Sequence, residues 1–168
     1  HSAFGGSFLN HIYFIAAAPP VFPHAPENII AKGGIVTTNG AINDGAVTSD
    51  GYAINTLQSV NNPHASGTKM ENLCPMQTMP TIGDRLDEKA VTWAWYSGKW
   101  DTILSGFAAK VDSDLFQFHH QPFNYFAKYG ADTSFVKKLH LKDENEFMWI
   151  GKGIASEAVR QLIVYIQK

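Results

Sequence analysis

Apolar residues follow two different patterns along this chain, one typical of helices and one typical of strands. Residues 8–18 are almost continuously apolar and end at Pro19 and Pro20, which predicts a buried helix that stops there. Between residues 29 and 67, short β-type runs alternate with Asn-Gly, Asn-Asp-Gly and Ser-Asp-Gly turns, a pattern typical of hairpins. We therefore expect residues 29–67 to form a small antiparallel β excursion from a main sheet.

The second half of the chain begins with a helix that leads into a strand. Thr81 is a favoured N-cap residue, and apolar positions after it share one face of a helix that extends to about Lys89. Residues 90–96 are rich in β-branched and aromatic side chains, which predicts a buried strand. A helix followed by a buried strand is half of an α/β repeat and indicates a parallel sheet.

Three further stretches complete the predicted elements. Residues 101–110 have a helical composition although they contain Gly106, and Pro122 suits the first turn of another helix. The charged segment 136–147 is expected to be a surface helix or loop. Apolar residues recur at helical spacing over 156–167, which predicts a final helix.

Length and charge exclude several classes of protein. The chain has 168 residues, of which 45% are hydrophobic and 17% charged, so it can bury the core of one domain. Its net charge is −2 and its basic residues are scattered, which argues against nucleic acid as a partner. The apolar run of about 11 residues near the start is too short to span a bilayer and no positive region precedes it, so we expect no transmembrane segment and no signal peptide within the chain.

Candidate chemistry is concentrated where the first helix begins. Gly5 and Gly6 precede Ser7, so the chain presents a hydroxyl at a helix N-terminus, where backbone N–H groups attract anions. Ser7 is therefore the candidate nucleophile, and the alternative is that it only caps the helix. His11 lies four residues later on nearly the same face, either to contact a bound phosphate or as a partly buried structural residue.

The other histidines fall into two groups. His119 and His120 lie at the end of a short apolar run, and functional sites in parallel sheets gather where strands end. His24, His64 and His140 stand in loop or charged surroundings, so we expect them to be solvated.

Aromatic residues are dense around the predicted strand. Trp93 and Trp95 lie on one face of that strand and Tyr96 on the other, and we expect them to pack in the core. Trp100 follows a Gly-Lys pair, and its alternative role is a binding platform. The glycine pairs of the chain lack the spacing of a Walker or dinucleotide-binding loop, which excludes those nucleotide sites.

Four sequence words occur in one order along the chain: Gly-Gly-Ser-Phe-Leu-Asn-His at 5–11, Thr-Ile-Gly-Asp-Arg-Leu at 81–86, Val-Thr-Trp-Ala-Trp-Tyr-Ser-Gly at 91–98, and Phe-Gln-Phe-His-His-Gln-Pro-Phe-Asn-Tyr-Phe at 116–126. Together they resemble the bacterial phosphoesterase family that holds acid phosphatases and phospholipases C, within the alkaline phosphatase superfamily. The acid phosphatase branch fits better, because the phospholipase branch is expected to have a threonine followed by Asp-Pro-Asn-Arg at the Ser7 site.

The resemblance covers roughly residues 4–147 and implies a three-layer α/β/α sandwich with a mostly parallel sheet. We expect residues 1–168 to form a single, incomplete phosphoesterase domain, because the family's other metal-binding segments are not found in this sequence. Residues 148–168 no longer resemble the family and are expected to be a divergent end. The resemblance also implies a periplasmic or secreted protein.

The implied activity is that of a metal-dependent phosphomonoesterase. In that activity Ser7 is both the nucleophile and a ligand of a divalent metal ion, whose other ligands we expect outside this chain. Asn10 and His11 are implied to line the phosphate pocket. His119 or His120 is implied to bind the phosphate or to protonate the leaving oxygen, with His120 slightly favoured. The implied substrate is a phosphoester small molecule or a phospholipid.

Two other functions stay open for the sequence alone. A phospholipase C-type phosphodiesterase needs an aromatic cage for a quaternary ammonium group, for which Trp95, Tyr96 and Trp100 are available. A non-catalytic fragment or binding module keeps only the phosphate-binding turn at Ser7.

Overall fold

The computed structural model of the chain describes residues 6–33, 45–107, 116–130 and 134–146. The α-helices in these ranges are α1 (Ser7–Ala16), α2 (Ile82–Glu88), α3 (Trp100–Thr102) and α4 (Ser134–His140), and the strands are β1 (Trp95–Ser97) and β2 (Leu141–Asp143). A π-helical turn, Ile103–Phe107, continues α3, and 3₁₀ turns occupy Glu27–Ile29, Met70–Asn72, Phe118–His120, Pro122–Tyr125 and Ala127–Tyr129. No helix in the described ranges has the length and apolar character needed to cross a membrane.

The first helix is confirmed, and it forms because one of its faces is apolar. The residues that it buries are Phe8, Leu9, Ile12 and Ile15. The helix ends at Ala16, two residues earlier than predicted, and its C-cap Ala17 has a left-handed backbone with φ 53°. Pro19 and Pro20 follow and prevent the helix from continuing.

The second helix is confirmed together with its cap. Thr81 Oγ1 accepts a hydrogen bond from the Asp84 N–H at 3.3 Å, and the Asp84 carboxylate accepts one from the Thr81 N–H at 2.7 Å. The buried face differs from the expected one, because Ile82 is 48% exposed and Gly83 is buried. Gly83 lies so close to the Trp93 ring that a Cβ added there would be 2.7 Å from Trp93 Cη2.

The two strands form a small parallel sheet, in which Trp95 pairs with Leu141 and Ser97 pairs with Asp143. A parallel sheet after α2 is therefore confirmed. The strand predicted over residues 90–96 is longer than the observed one, which begins only at Trp95. Ala90 has a left-handed backbone with φ 54°, so the chain turns there and becomes extended strand only at Trp95. The described residues are mixed helix and strand around this sheet, and the three-layer sandwich stays a prediction.

The charged segment 136–147 is predicted to be a surface helix or loop. This prediction is wrong for residues 141–143, which form strand β2. Residues up to His140 are helical, but Leu141 and Asp143 are buried in β2. The charged Lys142 between them alternates to the other side of the strand, which is why composition alone suggests a surface segment. The helix predicted over 156–167 lies outside the described residues.

Single bridges replace the expected hairpin ladders in the described part of segment 29–67. Val47 is bridged in parallel to Ile30 and in antiparallel fashion to Ala53. The Ser-Asp-Gly turn is present: the Thr48 N–H donates to the Tyr52 carbonyl at 2.8 Å across it. In the described part of this segment the antiparallel bridges are made by Tyr52 and Ala53, beside this turn. The run at 35–38 lies outside the described residues.

One apolar core joins these elements. It contains residues of α1, α3 and β2 and of the segments 47–57 and 116–129. Its largest fully buried side chains include Trp100, Tyr125 and Tyr129. The α1 helix contributes its apolar face to this core, so its opposite face is left for solvent or ligand.

We expect Gly83→Ala to lower the free energy of unfolding by about 1–3 kcal/mol, because its Cβ overlaps the Trp93 ring. This overpacking outweighs the helix propensity that alanine gains over glycine, about 1 kcal/mol. Urea unfolding of both proteins measures the difference. Glu88→Ala, on the exposed side of α2, is the control and should change stability by less than about 0.5 kcal/mol. A Gly83→Ala protein more stable than wild type contradicts the close packing.

Candidate functional site

The start of α1 and the turn Phe118–His120 form one surface of the molecule. α1 packs against this turn and against the next one, Pro122–Tyr125. The centroid of the His11 ring lies 5.0 Å from that of His120 and 5.5 Å from that of His119. Histidines far apart in sequence thus come together one helical turn from Ser7.

Ser7 is the first residue of α1 and is not its cap. The N-cap is Gly6, and no side chain makes a capping hydrogen bond there. The capping alternative for Ser7 is therefore wrong, and its exposed hydroxyl is available for other contacts. Because an α-helix has 3.6 residues per turn, Ser7, Asn10 and His11 lie on one face, opposite to the buried one.

His11 is hydrogen-bonded to the first residue of its own helix. Its Nδ1 atom lies 2.7 Å from the Ser7 carbonyl oxygen and 3.3 Å from Ser7 Oγ. A carbonyl oxygen only accepts hydrogen bonds, so Nδ1 carries a proton and donates it. Nδ1 therefore cannot accept the Ser7 proton, and in this arrangement His11 is not a general base for Ser7 through that nitrogen.

Asn10 is oriented by the residue that precedes the helix. Its Nδ2 atom donates a hydrogen bond to the Gly6 carbonyl oxygen at 3.0 Å. That bond holds the amide beside the first turn of α1, where the backbone N–H groups have no partners within the helix. The amide and these N–H groups together make a donor-rich surface that suits an anion.

Burial and neighbouring charge keep the two adjacent histidines neutral. Burial first, and then the charges of His120 and His11, lower the pKa of His119 to about 4. His120 is more exposed, and its pKa is lowered by partial desolvation and then by the charge of His11. Both pKa shifts favour the neutral forms of His119 and His120, and a nearby negative charge acts in the opposite direction, because it raises an imidazole pKa.

Two side-chain hydrogen bonds fix the histidine turn to strand β1. The Trp95 indole N–H donates to the His120 carbonyl oxygen at 2.7 Å, and the Gln121 amide donates to Ser97 Oγ at 3.2 Å. Residues 95 and 97 are two positions apart and so share a face of the strand. Gln121 is fully buried, and its Oε1 atom has no hydrogen-bond partner within the described ranges. The position of His120 thus depends on β1.

Sequence reasoning missed Ser97, Gln121 and Asp143. Ser97 and Asp143 are opposite each other at the carboxyl ends of the two parallel strands, where polar residues of sites gather. For Ser97 the available signal was a polar residue directly after the run at 93–96. Asp143 is 2% exposed and accepts hydrogen bonds from the Asp101 N–H at 3.1 Å and the Asn145 N–H at 3.0 Å, so it organises the backbone of the loops that follow the strands.

The structure excludes one alternative role, that of Trp100, and corrects one expectation, that for His140. Trp100 is 1% exposed, and its ring packs against Phe116 and beneath the Lys137 ammonium, which lies 5.5 Å from the ring centroid. A binding platform at Trp100 is therefore wrong. His140 is buried rather than solvated, because its ring stacks on Trp93 at 4.0 Å.

The described residues include Ser7 but no complete set of metal ligands. In these ranges no group of three or more His, Cys, Asp or Glu side chains is arranged to hold an ion. The buried carboxylate nearest to the strand ends, Asp143, is already engaged by backbone N–H groups. These residues on their own do not fit a divalent cation.

Comparisons with known proteins agree with the resemblance of the four sequence words. The sequence model of the Phosphoesterase family matches residues 1–149, a range that includes Ser7, His11, His119 and His120. No curated protein and no solved structure matches the chain.

We expect His119 to make the protein sensitive to acid. Its folded-state pKa of about 4 lies below the ordinary 6.5, so between these values the unfolded chain binds a proton that the folded protein does not. The stability is fully present above about pH 6.5 and is lost as the pH falls toward 4. Between pH 7 and pH 4, the free energy of unfolding should therefore fall by about 2–3 kcal/mol less in His119→Gln than in wild type.

Urea unfolding at several pH values measures this difference. His24→Gln, at an exposed position outside the cluster, is the control and should keep the wild-type pH dependence. Identical pH profiles for His119→Gln and wild type would show that His119 is not the group responsible.

Proposed function

The chain belongs to the Phosphoesterase family, and from this premise we propose that it is a phosphomonoesterase of the acid phosphatase type with Ser7 as its nucleophile. Family membership assigns it hydrolysis of phosphoric esters in general. One observation carries the finer proposal: an exposed hydroxyl at the N-terminus of α1 lies beside a cluster of three imidazoles. The substrate is a phosphoester small molecule.

The N-terminus of α1 binds the phosphoryl group in this proposal. Its free backbone N–H groups and the positive end of the helix dipole favour an anion beside Ser7. Asn10 and His11 lie on the same face. The Asn10 amide carries two N–H groups, one of which donates to the Gly6 carbonyl, and the imidazolium form of His11 donates through Nε2. The three side chains therefore converge on one anion-binding surface.

The reaction begins when Ser7 Oγ attacks phosphorus. The bond from phosphorus to the leaving oxygen breaks, a phosphoserine forms, and the leaving oxygen takes a proton from His120. His120 suits this role better than His119, because it is exposed and stacked on His11 whereas His119 is buried. The bound phosphate dianion raises the pKa of His120 and so favours its protonated form. Water then attacks the phosphoserine and gives a proton to His120, phosphate leaves, and Ser7 regains from solvent the proton that it lost to solvent when Oγ attacked.

The proposal includes a divalent cation of unassigned identity, with Ser7 as one ligand and the remaining ligands outside the described residues. When bound, such an ion stabilises a serine alkoxide. The bond from His11 Nδ1 to the Ser7 carbonyl supports the need for an activator of this kind, because it removes the nearest candidate base.

The placement of aromatic residues favours a phosphomonoesterase over a phospholipase C-type phosphodiesterase. A cage for a quaternary ammonium group needs several exposed rings around one point. Trp100 is buried, and Trp95 and Tyr96 are consecutive in β1, so their side chains project to opposite faces of the strand. These three residues therefore do not form the cage.

We expect phosphate to be trapped on Ser7 when the protein is incubated with a phosphomonoester and quenched in acid, because a covalent intermediate precedes hydrolysis. Ser7→Ala should lower kcat about 10³-fold or more. Peptide mass spectrometry locates the phosphate, and initial rates give kcat. Ser66→Ala, at an exposed serine in a distant turn, is the matched control and should keep wild-type rates. Phosphate on another residue, or an active Ser7→Ala protein, rules out this nucleophile.

Removal of divalent cations is expected to abolish turnover, since the serine hydroxyl then has no activator. Hydrolysis of a phosphomonoester is measured after dialysis against a chelator and again after addition of Mg²⁺, Mn²⁺, Ca²⁺ or Zn²⁺. Restoration by at least one ion supports the proposal. Full activity after complete metal removal, checked by elemental analysis of the protein, contradicts it.

A further inference from the structure

We propose that Phe14 and Trp95 form an apolar shelf that receives the leaving group, so that the protein prefers phosphomonoesters of aromatic alcohols to those of small polar alcohols. This inference rests on the proposed function, because it takes Ser7 and His120 as the groups that handle the phosphoryl transfer. The shelf is the surface made by the exposed Phe14 ring and the half-buried Trp95 ring.

Phe14 belongs to the same face of α1 as the candidate nucleophile. Ser7, His11 and Phe14 are spaced four and three residues apart, so their side chains follow one another along the helix. The rise of 1.5 Å per residue places Phe14 about 4.5 Å beyond His11 along the axis, a distance that one aromatic ring spans. A leaving group that starts beside the histidines therefore reaches Phe14.

The fold itself does not require an aromatic residue at position 14. α1 is held to the core by its opposite face, and Phe14 is 70% exposed. Its aromatic neighbour is Trp95, with ring centroids 6.0 Å apart and planes at 62°. Such an edge-to-face pair presents ring faces to which a third aromatic group can add.

Trp95 connects the shelf to the reacting end of the site. Its indole N–H donates to the His120 carbonyl oxygen at 2.7 Å, while its ring contacts Phe14. The shelf therefore begins next to the imidazole from which the leaving oxygen takes its proton. An aromatic alcohol that departs there leaves its ring against Phe14 and Trp95.

Binding of two non-hydrolysable analogues tests the shelf without turnover. Calorimetry with phenylphosphonate and methylphosphonate should show that Phe14→Ala weakens phenylphosphonate binding about five- to tenfold, the size of one aromatic contact. The affinity of the Phe14→Ala protein for methylphosphonate should differ from that of wild type by less than twofold. Phe135→Ala is the matched control, because Phe135 is 76% exposed and lies on α4, which packs against β2 and Ala127–Tyr129.

Rates give a second measurement with the same variants. Phe14→Ala should lower kcat/KM for 2-naphthyl phosphate about five- to tenfold and leave kcat/KM for methyl phosphate within twofold, whereas Phe135→Ala changes neither. Equal losses for both esters, or no loss for either, overturn the shelf while the phosphomonoesterase proposal stands. A Phe14→Ala protein that sediments as a smaller species with unchanged ester preference also overturns it and assigns Phe14 to a contact between copies. A wild-type protein that binds neither phosphonate and hydrolyses neither ester contradicts the proposed function itself, and the shelf with it.

Discussion

The packing of α1 on the segment 116–126 is the contact on which the candidate site depends. The Phe8 ring lies 5.2 Å from the Tyr125 ring, and both side chains are almost completely buried. Tyr125 is fixed in turn, because its hydroxyl donates to the Leu57 carbonyl and its own carbonyl accepts from the Gln77 N–H. This apolar contact places a serine and a histidine pair from distant parts of the chain side by side.

Local chemistry made several features predictable. The apolar face of α1, the capping box that starts with Thr81 and the extended backbone at Trp95 all follow from neighbours a few residues away. The candidate residues Ser7 and His120 were visible for the same reason, since a hydroxyl after two glycines and adjacent histidines are local patterns. Their closeness in space was not visible, because it depends on packing between segments.

Features decided by distant partners were not predictable. Strand β2 contains a lysine and an aspartate, and only its pairing with β1 makes it part of a sheet. The burial of His140 depends on stacking against Trp93, which no local pattern connects to it. The proton on His11 Nδ1 and the low pKa of His119 likewise arise from the folded surroundings rather than from residue type.

Trp95 makes two contacts with different parts of its side chain. Its N–H holds the histidine turn and its ring borders Phe14, so a substitution that reshapes the ring also removes the bond to His120. Phe14 has no such second role, because its side chain carries no polar atom that could hold the histidine turn. Changes of substrate preference during evolution would therefore be tolerated at position 14 and selected against at position 95, and the two ends of the shelf would diverge at different rates among descendants of this protein.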